Sequence, residues 1–150
     1  MVELLAAPDT LYEMVPVGPI TKQTAWMRDL LAEESSSAVI VTLAEDLPVT
    51  ETLSLNERIT TESSVRVQAV VANRLPAELG APGMAEAARL AKKDGPIGVA
   101  AQMILDRRRR ADEALEPLFE SISVPILTVS ECDNESRLVH HVALTVEDLL

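Results

Sequence analysis

The chain has 150 residues, with 24 Asp and Glu against 13 Lys and Arg, a formal net charge of -11 and a pI near 4.6. That length suits one domain or half of a larger one, and the acidic balance argues against nucleic-acid binding and against docking on anionic lipid through charge alone. A hydrophobic fraction of 47% and a mean hydropathy of +0.15 supply a core, while the single cysteine, Cys132, excludes an internal disulfide framework and a multi-cysteine zinc site within one chain.

Residues 1–18 are apolar but irregular, interrupted by Pro8, Pro16 and Gly18. Leu4 to Met14 reads as a short helix or an ordered loop. Met1 to Ala7 lacks the basic start of a signal peptide, so a cytoplasmic, reducing location is the default expectation. Pro19 suits a helix start. Ile20, Thr24, Met27, Leu30 and Leu31 recur at helical spacing and predict a helix over 20–34, ended by Ser35-Ser36-Ser37.

Ala38 to Leu43 is a short continuous run rich in β-branched residues, which predicts a strand buried on both faces. Glu45 and Asp46, just before Pro48, predict a helix N-terminus. Leu47, Leu53, Leu55 and Ile59 carry that helix to about Thr61. Val65 to Asn73 is the second predicted strand. Asn73-Arg74-Leu75-Pro76 ends it, and residues 76–83 read as a loop.

Met84 to Lys93 is an Ala-rich helical stretch, broken by Asp94-Gly95-Pro96. A longer helix is predicted from Gly98 towards Phe119, with Ala101, Ile104, Leu105, Ala111, Leu115 and Leu118 on one side. Pro117 is expected to kink it or to start a new turn. Ser123 to Val129 is the third strand, residues 130–138 a polar loop, and Leu138 to Leu150 a final helix or an incomplete strand-helix unit. Strands separated by helices imply an α/β fold: a parallel sheet with right-handed crossovers and helices on both faces. Three strands leave two edges open to association, so the sheet reads as incomplete.

The chemistry-bearing patterns are few. The five glycines form neither a G-x-x-x-x-G-K-[ST] phosphate loop nor a G-x-G-x-x-G dinucleotide fingerprint. The strand ending in Glu45 and Asp46 superficially resembles a Walker B strand, but a helix start explains the same carboxylates, and no triphosphate cradle accompanies them. His140 and His141 are adjacent and therefore poorly placed to share a metal. Cys132 sits between Glu131 and Asp133, whose like charge disfavours its thiolate. Arg107-Arg108-Arg109-Arg110 is the only basic run. Asp106, Asp112 and Glu113 lie at helical spacing from it, which reads as a self-neutralised, solvated helix face, with an anion site as the alternative. Met84 and Met103 read as core, with an adaptable apolar groove as the alternative. Aromatic residues are Tyr12, Trp26 and Phe119 alone, too few for a stacking site.

Two blocks carry a family resemblance. Val39-Ile40-Val41-Thr42-Leu43-Ala44-Glu45-Asp46-Leu47-Pro48-Val49-Thr50-Glu51-Thr52 resembles a strand and helix start of the ArsA-type, or guided-entry, anion-transporting ATPases. Val67 to Leu75 resembles the next strand of that family, which ends in Val-Asn-Arg or Val-Asn-Gln. Val17 to Gln23 and Val124 to Leu127 are similar to flanking stretches, in the right order.

The resemblance implies the C-terminal half of a deviant-Walker-A P-loop NTPase domain, using ATP and Mg²⁺ in the complete protein. It implies helical-subdomain segments at about 1–35 and 84–122, and nucleotide-domain sheet segments at 36–75 and 123–150. It places Asn73 at the adenine, with Arg74 beside it and Pro125 and Ile126 nearby. An amide at the carboxyl end of a parallel strand fits a purine edge, since it offers both a donor and an acceptor. Implied partners are the N-terminal half of the ATPase or a homologous subunit, and membrane-protein cargo or a membrane partner. The family's phosphate loop and switch regions have no counterpart in the chain, and its Cys-x-x-Cys zinc motif is missing. The chain alone is therefore expected not to hydrolyse ATP. A second expectation, from a different class, is a non-catalytic partner or a carrier for an apolar segment along Met84–Leu105. A third is an α/β domain with no nucleotide connection.

Overall fold

The computed structural model describes residues 2–15, 17–131, 139 and 143. Five helices and three strands follow one another in these residues: α1 (Val2–Met14), α2 (Pro19–Ala32), β1 (Ser37–Leu43), α3 (Asp46–Glu62), β2 (Arg66–Leu75), α4 (Gly80–Leu90), α5 (Pro96–Ser121) and β3 (Ile126–Ser130). The three β-branched runs are the three strands. They form one parallel sheet in the order β1-β2-β3, so the α/β class and the parallel sheet are as expected. The positions of Pro16, Cys132, His140 and His141, and nearly all of the expected final helix, lie outside the described residues.

Both crossovers, through α3 and through α4–α5, step the same way across the sheet. Right-handed connections that step the same way lay their helices on the same face. The core agrees: Val49 and Ile59 of α3 and Leu115 and Leu118 of α5 cluster with Ile40 of β1 and with Val70 and Ala72 of β2. Val2 of α1 joins that cluster, and Leu5 and Leu31 pack against it. Side chains at alternate positions of a strand point to opposite faces. On β1, Ile40 and Thr42 are buried, whereas Val39 and Val41 are 52% and 61% exposed. The expectation that this strand is buried on both faces is thus corrected: among the described residues, its helix cover lies on one face only. Val41 stands opposite Val71, and Val71 opposite Leu127, so an apolar row crosses the less covered face.

Several boundaries move for local reasons. α1 runs through Pro8 and α5 through Pro117. Each proline removes an amide whose acceptor, the carbonyl of Leu4 or Glu113, belongs to an exposed residue that water can serve. Pro117 therefore starts no new turn. α4 begins at Gly80, within the expected loop; Pro82 falls in its first turn, where a missing N–H costs nothing. Gly95 has φ 94 and precedes Pro96 at the start of α5. A Cβ on Gly98 would lie 1.8 Å from the Lys93 carbonyl oxygen, so the tight α4–α5 turn requires glycine there. β2 continues past Asn73 to Leu75, and β3 starts at Ile126 rather than Ser123.

Polar contacts fasten α1 to the end of α3. Asp9 Oδ2 accepts from the Ser64 hydroxyl at 2.6 Å and from its amide at 3.1 Å. Arg58 Nη2 donates to Glu3 Oε1 at 2.8 Å. That bond holds the exposed Glu3 carboxyl down at about 2, from 4.5.

Candidate functional site: a cleft at the carboxyl ends of the strands

Parallel strands bring their carboxyl ends to one edge of the sheet. Ligands of open α/β sheets bind in the crevice outside that edge. Here it holds an open cleft of about 880 Å³, within the range of small-molecule sites. Leu43, Ala44 and Glu45 line it from the end of β1, Arg74 and Pro76 from the end of β2, and Glu131 from just beyond β3. α5 supplies the opposite wall with Ala100, Met103, Ile104, Asp106, Arg107, Arg110 and Ala111.

Arg74 is the one described residue other than glycine with positive φ, at 59°. That left-handed conformation costs a side-chain-bearing residue ~1–2 kcal/mol. The Asn73 side chain offsets it, since its Oδ1 accepts the Arg74 backbone N–H at 2.9 Å. One acceptor position of the Asn73 amide is therefore engaged with its own chain. Asn73 lies beside the cleft, and Arg74 lines it. Pro125 and Ile126 lie elsewhere. Ile126 pairs with Val70, three residues before Asn73, roughly 10 Å back along the strand. The structure brings Asn73 and Arg74 together and does not bring Pro125 and Ile126 to them.

The arginine run divides. Arg108 Nε donates to Asp112 Oδ1 at 3.1 Å, and Arg109 Nη1 to Glu113 Oε1 at 3.0 Å. The Glu113 bond, with its charge, raises the Arg109 pKa. Arg107 Nη2 reaches across to Glu131 Oε1 at 2.6 Å, and the Glu131 amide donates to the Leu75 carbonyl at 2.7 Å. These two bonds tie α5 to the strand ends inside the cleft.

The expected Asp106–Arg110 pair is not made. Asp106 Oδ1 instead accepts from Gln102 Nε2 at 3.2 Å and Arg109 Nη2 at 3.5 Å. Arg110 is left lining the cleft, with no partner among the described residues. The self-neutralised face thus holds for Arg108 and Arg109 and fails for Arg110. Sequence reasoning missed Glu131, and it carried an anion site at the arginine run only as the alternative, without singling out Arg110. A signal for Arg110 was present: Ala100, Met103, Ile104, Arg107 and Arg110 recur at helical spacing, so the arginine interrupts an apolar stripe.

Met84 and Met103 are not core. Met103 is 67% exposed, and Ile97, Val99 and Ile104 are exposed with it on the first half of α5. Glu45 occupies the N-cap position of α3 without making a side-chain cap bond, and Asp46 stands in the first turn, as a helix start requires. Among the described residues, no three or more His, Cys, Asp or Glu stand together in a way that could hold a metal ion. No helix among them is long and apolar enough to cross a membrane.

No family model matches this chain, and no curated protein does.

Proposed function

We propose that the chain is the C-terminal portion of an ArsA-like ATPase, in which ATP binding and hydrolysis drive transport or membrane-protein targeting from the cytoplasm. The observation that carries this reading is the half-covered β1. An apolar strand with Val39 and Val41 exposed, and with one hydrogen-bonding edge open among the described residues, has the form of an internal strand whose neighbour lies in another segment. The resemblance supplies that neighbour: the phosphate-loop half, either on the same polypeptide or on a homologous subunit.

The residues fit the two ends of ATP unequally. Asn73 and Arg74, at the carboxyl edge of the sheet, suit the base end. The described residues offer neither a phosphate loop nor a metal-holding cluster, so Mg²⁺ and the phosphates are assigned to the partner half. Asn73 would then donate its Nδ2 to the base while its Oδ1 keeps the Arg74 backbone in place.

The native gene product provides the test, through an immunoblot of source cells with antibody to this chain. A product well above 16.2 kDa, whose ATP turnover falls on Asn73→Ala, supports the reading. A 16.2 kDa product that binds no ATP, alone or with its co-purifying partners, removes it. The exposed Ile97, Val99, Met103 and Ile104 favour one second reading, a non-catalytic carrier for an apolar segment along α4 and α5.

A further inference from the structure

We infer that the cleft is an oxyanion site, in which Arg74 and Arg110 hold a phosphate or carboxylate group of a small molecule whose apolar or planar body lies along Met103 and Ile104. The first support is the pattern of unpaired guanidinium groups. Every other described arginine side chain has a partner: Arg28 lies over the Tyr12 ring, Arg66 donates to the Glu34 carbonyl, and Arg58, Arg89, Arg107, Arg108 and Arg109 pair with carboxylates. Arg74 and Arg110 alone among them have none, and both line the same cleft. In a chain with 24 carboxylates, free guanidinium groups on two different elements facing one cavity are a specific arrangement rather than a general surface property.

The second support is chemical fit. A guanidinium presents a planar fork of donors that matches two oxygens of a phosphate or carboxylate. The wall beside Arg110 is apolar, built from Ala100, Met103 and Ile104. Of the three carboxylates that line the cleft, Glu131 is engaged by Arg107 and Asp106 by Gln102 and Arg109, which leaves Glu45 to repel an anion there. Arg107 is engaged by Glu131 and takes no part. The inference stands without the nucleotide reading, which sets Arg74 at the base end and the phosphates in the partner half.

The experiment is isothermal titration of the purified 150-residue chain, at low salt without Mg²⁺, using pyrophosphate, ATP and adenosine as probes. Pyrophosphate and ATP are expected to bind, with adenosine much weaker. Arg110→Gln and Arg74→Gln should each weaken both anions ~10-fold or more. Glu45→Gln should tighten them ~2- to 5-fold. Arg89→Gln, which removes the same charge away from the cleft, should change neither. Circular dichroism of each variant establishes that the exposed substitutions leave the fold intact.

Loss of ATP binding in Asn73→Ala with pyrophosphate binding kept would support the nucleotide reading on its own terms. Pyrophosphate binding that depends on both arginines, with no preference for ATP, would support the oxyanion site while counting against the nucleotide reading. Anion affinity indifferent to Arg74→Gln and Arg110→Gln, adenosine binding as well as ATP, or no anion binding at millimolar concentration would each overturn the inference.

Discussion

Val70 and Val41 lie on adjacent strands and on opposite faces of the sheet, so the same deletion at each reports whether β1 is covered on one face or two. Val70 is fully buried against α3 and α5, and Val41 is 61% exposed. Val→Ala removes the equivalent of two methylene groups, ~1.6 kcal/mol of transfer free energy at ~0.8 per group. At Val70 a cavity of ~40 Å³ adds ~1 kcal/mol, because close-packed surroundings relax only partly. The total is ~2–3 kcal/mol. At Val41 only about four tenths of the transfer term applies, ~0.6 kcal/mol, and solvent fills the space. Urea unfolding followed by circular dichroism at 222 nm gives both values, provided the slope with denaturant is unchanged. Equal losses at the two positions, or a loss above ~1.5 kcal/mol at Val41, would refute the one-sided cover of β1 and the argument built on it.

The remaining expectations concern the surface. The folded-state pKa of Glu3 lies below its ordinary value, so its contribution to docking α1 is present above about 4.5 and is lost as pH falls towards about 2. Hydrogen exchange in α1 should therefore be faster in Glu3→Gln than in the unmodified chain at pH 6, with most of the difference lost by pH 2; because the pair is exposed, it should also shrink in high salt. At Arg74, whose φ is 59°, glycine relieves strain but adds freedom to the unfolded chain, so Arg74→Gly should shift stability by less than ~0.5 kcal/mol while Arg74→Val costs ~1–2 kcal/mol in thermal unfolding. The open β1 edge should let the isolated chain self-associate as its concentration rises, and Val41→Lys should keep it monomeric in sedimentation velocity.

The strands were legible because their composition is decisive. Val39-Ile40-Val41 and Val70-Val71 leave few alternatives to a sheet, and the helical spacing of Leu115 and Leu118 marks the face of α5 that meets it. The one-sided cover at β1 was not legible. An apolar strand reads as doubly buried whether or not the second layer belongs to the described residues, because composition reports what a residue favours and not what stands beside it.

The cleft was half legible. Asn73-Arg74 marks the end of a strand, but the left-handed turn at Arg74 depends on a side-chain-to-backbone bond that spacing does not reveal. On α5, Asp106 had two arginines within helical reach, three and four residues on. Which of them it engages depends on rotamers, and it is Arg109, leaving Arg110 to the cavity. The prolines misled for a related reason. Pro8 and Pro117 are helix breakers where the orphaned carbonyl is buried, and in both helices that carbonyl belongs to an exposed residue.

The one-way strand order also constrains how this sheet can grow. A strand added beside β1 and continuing the same direction of winding would put its connecting helix on the face that is already occupied. A strand reached from β3 by a connection that returns to lie outside β1 would step the other way and lay its helix over Val39 and Val41 instead. The winding then reverses at β1, and crossovers diverge to opposite faces from that point. Such a reversal opens a crevice at the carboxyl end of the strand where it occurs, and at β1 that end is Leu43-Ala44-Glu45, the rim of the present cleft. Covering the valines and deepening the cleft would be two results of one topological step.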